Sequence, residues 1–421
     1  MIETIELFSG IRLHCFRDDR FKQGCLCIQF IRPMAEQEAA KNALIPAVLL
    51  RGTERHRDLR DITLALDDLY GASVSALVRR VGDYQTTGLY CAFMEDKYAL
   101  EGDKVLEPMV DFLGELLFHP AMEDGGFSRE FVESEKRNLI LTIESERNDK
   151  RAYAAAQLLR IMCKEDSFGI PRLGKKEQVA AIDHKALYRH YQQILRESAV
   201  ELFYVGSRDT QQMAALLKPL FAGIDRNYVN LLKQRPFRDC GGEHRVEQMD
   251  VAQGKLCMGF VTSITNRSPE FAAMQVFNCI FGAGMTSKLF MQVREKLSLC
   301  YSISSGYYGS KGIVTVGAGI DMDKEELTRQ EIEKQLAACV AGEITKEELQ
   351  SAKEAILSSL RSVHDSPGAI EGYYATAALS GISLTIDQYR QAVENTTVEH
   401  VQSAAATVKL HSSYFLKGVT Q

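Results

Sequence analysis

No apolar run in this 421-residue sequence approaches the roughly 20 residues that span a bilayer, and none reads as a membrane anchor. The start, MIETIELFSGIRLHCF, has neither a basic leading stretch nor the apolar core of a secretion signal, so a cytoplasmic location is expected. Positive charge is not in excess either. Fifty Lys and Arg against 56 Asp and Glu give a formal charge of -6, which leaves no electrostatic footprint for nucleic acid or an anionic membrane. Ten cysteines are scattered mostly through apolar runs, and Cys25-x-Cys27 has no second pair nearby, which argues for buried, reduced thiols over a disulfide framework or a zinc knuckle. Among nine histidines no pair has the four-residue spacing that puts two imidazoles of a helix on one metal, so a zinc site made by this chain alone is not expected. A Gly-x-Ser-x-Gly elbow and a Walker loop are also missing.

What is present is an average soluble balance, 45% apolar and 25% charged, in a chain too long for one ordinary core. Two domains are expected, at 1–224 and 246–421, joined by a polar linker at 225–245 that contains Pro236 and Gly241-Gly242. Strands are read at Ile2 to Phe16, Gly24 to Ile31, Ala72 to Arg80 and Thr86 to Met94. A helix from about Glu36 to Leu50 contains Pro46, which should kink or break it. A second, amphipathic helix runs from about Asp58 to Tyr70, and another stripe begins after Asp103. The stretch from Ser128 to about Cys163 reads as one long helix, charged in its first half and apolar in its second. Asp183 is the N-cap of a helix through Leu195, and Asp209 with Gln212 forms a capping-box pattern. His184 and His190 are read as solvated or capping residues, and the pairs Glu133/Glu135 and Glu144/Glu146 as a solvated helix face. After the linker the plan restarts with paired strands, helices, more strands and a closing strand-Gly, the outline of a diverged duplication.

The stretch Gly282 to Ser302, GAGMTSKLFMQVREKLSLCYS, is the one with a chemical question attached. A Gly-x-Gly turn precedes an apolar helical pattern at Met285, Leu289, Phe290 and Val293, and a strand-like run follows. Arg294 near the helix end and Tyr301 at the strand start could project into one cleft. A cation in a last helical turn and a tyrosine early in a strand are also ordinary structural choices. Gly282-Ala283-Gly284 lacks the third glycine and the context of a dinucleotide loop, and reads as a turn or close-packing site.

Together, the order of elements and this stretch resemble the pitrilysin-like M16 family of zinc peptidases over nearly the whole chain. Ser9-Gly10-Ile11-Arg12-Leu13 resembles the family's N-terminal hairpin, Leu50-Arg51-Gly52-Thr53 the end of its metal helix, and SKLFMQVREKLSLCYS its C-terminal Arg/Tyr motif. The resemblance implies an α+β fold of two homologous domains, each a mostly antiparallel sheet packed by helices, that enclose a clam-shell chamber. It also marks a departure. The positions of His-x-x-Glu-His hold Ala43, Leu44, Ile45, Pro46 and Ala47, and the distal glutamate position falls at Thr142, or at Glu144 if the register slips. One carboxylate cannot hold a catalytic zinc, which takes three protein ligands and an open position. The resemblance is thus to the non-catalytic half of a two-component peptidase, and SERNDKRAY at 145–153 is most similar to the metal-free member of a cytoplasmic pair in Gram-positive bacteria. It implies no cofactor in this chain, zinc in a partner homologue, a peptide substrate, and Arg294 and Tyr301 acting on that substrate in trans. A homodimer when isolated, and an inert peptide-binding or scaffold protein of the same fold, are the other outcomes the resemblance allows.

Overall fold

The computed structural model describes residues 2–230 and 235–419, so the linker positions 231–234 lie outside the described residues. The fold is α+β. The chain divides into two compact units, and neither is contiguous in sequence. The first takes the chain up to Glu144, then Ile170 into the linker, then His364–Thr376. The second takes Ser145–Gly169, the chain from the linker to Val363, and Ala377 onward. Boundaries at 224 and 246 therefore do not follow the compact units, because segments 145–169 and 364–376 each pack with the other half's sheet.

The first unit is built on a six-stranded sheet. Its strands are β1 (Ile2–Phe8), β2 (Ile11–Arg17), β3 (Gln23–Pro33), β4 (Ser73–Val81), β5 (Tyr84–Met94) and β8 (Ala199–Gly206), in the order β1-β2-β8-β3-β5-β4. A small hairpin, β6 (Met122–Glu123) with β7 (Gly126–Phe127), lies outside it. All neighbours in the sheet are antiparallel except β2 and β8. The run Ile2 to Phe16, expected as one strand, is a hairpin turned at Gly10, whose φ of 72° suits glycine. Alternation along β3 sends Leu26, Ile28 and Phe30 into the main core with the Glu36–Leu49, Leu106–Phe118, His184–Glu197 and Thr210–Ala222 helices. Cys27 and Gln29 face the other side. There Glu371, 1% exposed, accepts two Arg79 hydrogen bonds at 2.8 Å and one from Gln29 Nε2 at 2.8 Å. Tyr374 and Ala375 complete that face with Cys27, Leu77 and Phe203.

In the second unit five strands, β9 (His244–Met249), β10 (Gly254–Val261), β11 (Cys300–Tyr308), β12 (Ile313–Ile320) and β13 (Lys409–Gly418), run in the order β11-β12-β10-β13-β9. The only parallel pair of this sheet is β9 with β13. Strand for strand this repeats β4-β5-β3-β8-β2, including the parallel pairing of an early strand with the last, so the duplication read from the sequence exists as topology. The Lys150–Met162 helix covers one face of the sheet through Leu158 and Met162, against Cys257, Ile313, Tyr414 and Leu416. Gly259 permits that approach, since a Cβ there would meet Met162 Sδ at 2.0 Å. Lys311, its side chain fully buried, is paired with Asp166 at 2.9 Å and donates to the Arg235 carbonyl at 3.2 Å, while Asp166 also accepts the Arg238 and Phe168 amides.

Two helices stand where one was expected between Ser128 and Cys163. Arg129–Glu146 ends before Asp149, whose side chain caps Lys150–Met162 by accepting from the Arg151 and Ala152 amides. The charged half and the apolar half of that stretch belong to different compact units, which is the physical origin of their contrast. The Asp183 and Asp209/Gln212 caps form as expected, and Thr345 with Glu348 forms a further capping box. None of the ten cysteines, all among the described residues, is in a disulfide, and eight are buried. Among the described residues no helix is long and apolar enough to cross a membrane.

Candidate functional site

The expected metal helix forms at Glu36–Leu49, with Glu36 and Glu38 favourably placed in its first turn. It runs through Pro46, so of the two expected outcomes, a kink or a break, the break does not occur. Proline has no N–H to return to the Asn42 carbonyl one turn earlier, and the Thr87 hydroxyl of β5 donates to that carbonyl at 2.6 Å instead. Around the same turn Asn42 donates to Gln85 Oε1 at 2.9 Å, and Gln85 donates to the Ala39 carbonyl at 3.0 Å. His190 Nε2 lies 2.7 Å from Asn42 Oδ1, and since Asn42 spends its amide on Gln85, the imidazole is the donor. His184 and His190 are both 7% exposed, so neither is solvated. They project inward from the Asp183-capped helix, and burial pushes the His190 imidazole down to about 4.

This neighbourhood does not fit zinc. Ala43, Pro46 and Ala47 offer no donor atom, and the polar side chains beside them are spent on one another. Thr142 is exposed and donates back to the Asn138 carbonyl of its own helix at 2.9 Å, while Glu144 is ion-paired with Lys176. Of the expected carboxylate pairs, Glu135 is drawn inward to Arg51 at 3.5 Å, its side chain 12% exposed, whereas Glu133 stays half-exposed beside Lys136. Among the described residues no group of three or more His, Cys, Asp or Glu side chains could hold a metal ion.

The second unit does bring Arg294 and Tyr301 together. The Phe271–Asn278 helix widens into π-type turns at Cys279–Ala283 and, after the Gly284–Ser287 turn, a further π-helical segment runs from Leu289 to Lys296. Gly282 is a close-packing site, because a Cβ there would meet the Leu289 and Ser305 side chains at 2.8 Å. The segment ends in a left-handed cap. Ser298, at φ 52°, donates to the Arg294 carbonyl at 3.1 Å, and Leu299 donates to the Val293 carbonyl at 3.0 Å. The left-handed turn at Ser298, with Leu299 and Val293 both buried beside it, swings the chain into β11.

Pairing then places Tyr301. Cys300 lies opposite Ile320 and Ser302 opposite Gly319, so Tyr301 is the extra residue of a β-bulge and is extruded, 63% exposed. Tyr301 and Arg294 line one open cleft of about 460 Å³ with Glu295, Ser298, Leu299, Cys300, Asp321 and Lys324. The Arg294 guanidinium sits 4.5 Å from the Phe290 ring centroid, which orients it without spending its donors. The Tyr301 hydroxyl donates to Asp321 Oδ1 at 3.0 Å, and Asp321 Oδ2 pairs with Lys324 at 2.8 Å. That bond to a carboxylate raises the phenol above the ordinary tyrosine value, and Lys324 and Tyr301 hold Asp321 below the ordinary carboxylate value. Asp321 and Lys324 escaped the sequence reading. The available signal was the strand end at Ile320 followed by an Asp-x-x-Lys step, but its relation to Tyr301 depends on the β11–β12 register.

A family model described as "Peptidase M16 inactive domain" matches residues 181–356. The chain is 30% identical over 410 residues to the "Probable inactive metalloprotease YmfF" of Bacillus subtilis, covering 97% of this chain and 96% of that protein. The crystal structure of a conserved protein from Enterococcus faecalis superposes with a TM-score of 0.92 at 28% identity, covering 100% of this chain and 99% of that one. A "peptidase M16 inactive domain" from Pseudomonas fluorescens superposes with a TM-score of 0.81 at 16% identity, covering 100% and 98%, a likeness of fold.

Proposed function

The chain belongs to the peptidase M16 family, as a homologue of its inactive members, and from that premise we propose that it is the metal-free half of a two-component peptidase. It pairs with a homologue that carries His-x-x-Glu-His and presents Arg294 and Tyr301 to the peptide held there. The cytoplasmic location, a homodimer of the isolated chain, and zinc in the partner belong to the same reading. The observation that carries it is the bulge: Tyr301 is pushed out of its strand into the cleft that Arg294 lines, where a purely structural tyrosine would pack inward.

Within this reading the residues of this chain do three things. Tyr301 exchanges its bond to Asp321 for one to the scissile carbonyl, where a donor is worth most as negative charge develops on that oxygen. Arg294, braced on Phe290, fixes a second carbonyl of the peptide with its planar fork of N–H donors. Asp321, itself paired with Lys324, accepts the hydroxyl's hydrogen bond when the cleft is empty. The metal chemistry lies entirely with the partner.

The test is reconstitution. The isolated chain is expected to carry no stoichiometric zinc and to cleave no peptide, and mixing it with the zinc-bearing homologue is expected to produce cleavage. Tyr301→Phe should lower kcat/KM of the mixture by about 10²-fold, the loss expected for one oxyanion donor, with the partner's zinc content unchanged. Arg294→Ala should also lower it. Stoichiometric zinc and cleavage in the isolated chain would refute the proposal. Turnover indifferent to both substitutions would leave an inert scaffold.

A further inference from the structure

A cavity of about 760 Å³ opens in the first unit where the C-terminal ends of the Leu106–Phe118 and Thr210–Ala222 helices converge. Gly114 lets the two helices close on each other, since a Cβ there would meet Leu220 Cδ2 at 2.6 Å. Phe118, Leu220 and Ile224 form its apolar wall. A helix end of this kind carries partial negative charge, which a cation in the last turn offsets, and neither helix has a basic residue there. Carboxylates add to that charge. Asp111 and Glu115 stand four residues apart on one face of their helix, a spacing at which like charges repel, and Glu54 joins the lining from the loop after the Glu36–Leu49 helix. Arg55 and His119, also in the lining, are exposed, and His119 lies 3.7 Å from Glu54. Glu115 is the deep group, 8% exposed. Its Oε1 accepts from both the Thr53 hydroxyl and His56 Nδ1, the latter at 3.0 Å. Burial opposes its ionisation, but the bonds from Thr53 and His56 outweigh burial and hold the carboxyl below the ordinary carboxylate value. Among the described residues Oε2 accepts no hydrogen bond, and it is left to the cavity. A buried carboxylate with one oxygen unserved is a place for a cation.

We propose that this cavity binds a small organic cation, an ammonium or guanidinium carried on an apolar body, with its charged head at Glu115 Oε2 and Asp111 and its body against Phe118, Leu220 and Ile224. The chemistry specifies the ligand class. Three carboxylates and two helix ends outweigh Arg55 and disfavour an anion. The apolar wall would leave a bare metal ion short of oxygen ligands, and it suits a hydrocarbon or aromatic body instead. The volume lies within the ~300–1,000 Å³ of small-molecule sites, enough for the whole ligand. The cavity shares no residue with the cleft of Arg294 and Tyr301, and binding there is a property of the chain alone that does not require the proposed partner.

The experiment is methyl NMR of the full chain, with the Leu220 and Ile224 signals assigned by Leu220→Met and Ile224→Val, titrated separately with 2-phenylethylammonium, its neutral analogue 2-phenylethanol and the anion phenylacetate. The ammonium should shift both signals saturably, with a Kd at least about tenfold below that of the alcohol, and phenylacetate should leave them in place. Asp111→Asn, at an exposed position, and Glu115→Gln, which keeps an acceptor for Thr53 and His56, should each reduce the preference for the ammonium over the alcohol. Gly223→Leu should weaken ammonium binding by about tenfold or more by filling the cavity. Gly223 has φ -91° and a Cβ there meets nothing within 4 Å, so the fold should accept that change, and the wild-type comparison of the three probes stands even where a variant fails to fold. Equal binding of ammonium and alcohol would show an apolar pocket without charge selection and overturn the proposal. So would no shift with any probe, shifts confined to other methyl groups, or ammonium binding that Gly223→Leu leaves unchanged. Because no partner is present, failure here leaves the reconstitution test untouched, and failure there leaves this one.

Discussion

Tyr301 shows how little is needed to turn a strand residue outward. One unmatched position between Cys300 and Ser302 breaks the in-out alternation of β11 and leaves the phenol extruded at the cleft, where its hydroxyl is bonded to Asp321. The Asp321 bond is testable on the isolated chain. A carboxylate that accepts the phenol's hydrogen bond resists its ionisation, so Asp321→Asn, which keeps the shape and removes the charge, should bring the Tyr301 titration midpoint down toward the ordinary tyrosine value. Carbon-13 NMR of ring-labelled tyrosine reads this directly, with Tyr301→Phe assigning the signal. An unmoved midpoint would mean that the hydroxyl does not rest on Asp321 in solution. Arg294 and Tyr301 were legible in the sequence as a pair facing one cleft. Asp321 was not, since it enters the cleft through strand pairing across a turn, which no local pattern encodes.

The Glu36–Leu49 helix carries the comparable lesson at the level of an element. Pattern reading assigned it correctly and then expected Pro46 to kink or break it, because a helix considered alone cannot replace the missing N–H. The sheet replaces it, through Thr87 of β5. Thr87→Val should therefore cost about 1–3 kcal/mol, the range for leaving a buried carbonyl unsatisfied, measured as a fall in unfolding midpoint. In a Pro46→Ala background the residue 46 N–H can return to Asn42, and the same Thr87→Val should cost distinctly less, so the two substitutions should be coupled in a double-mutant cycle. Equal costs in both backgrounds would show that the Thr87 bond does not stand in for the lost helix bond. His190 was misjudged for a related reason. Its spacing from His184 was visible, but its depth was set by the Asn42–Gln85 network of another element.

At the scale of the whole molecule, the topological repeat was legible because paired strands, helices and closing strands recur in order, while the exchange of segments was hidden because each exchanged piece reads like its sequence neighbours. Its consequence is that neither half of the sequence contains its own complete core. A fragment ending before the linker would keep the face formed by Cys27, Leu77 and Phe203 but lose Ala375, Tyr374 and the Glu371 carboxylate that Arg79 and Gln29 bind. It would also carry the Lys150–Met162 helix without Cys257, Tyr414 and Leu416 to bury it. Two stripped apolar surfaces, and the loss of the Arg79–Glu371 pair, are costly against the marginal stability of a domain. A fragment of residues 1–224 made alone should thus aggregate or bind a hydrophobic dye, and its Cys27 thiol, fully buried in the intact chain, should react with iodoacetamide. Adding residues 225–421 during refolding should protect Cys27 again, because the missing cover, 364–376, is supplied in trans. A monomeric 1–224 fragment that unfolds cooperatively with Cys27 protected would show that the first half stands without the exchanged segment.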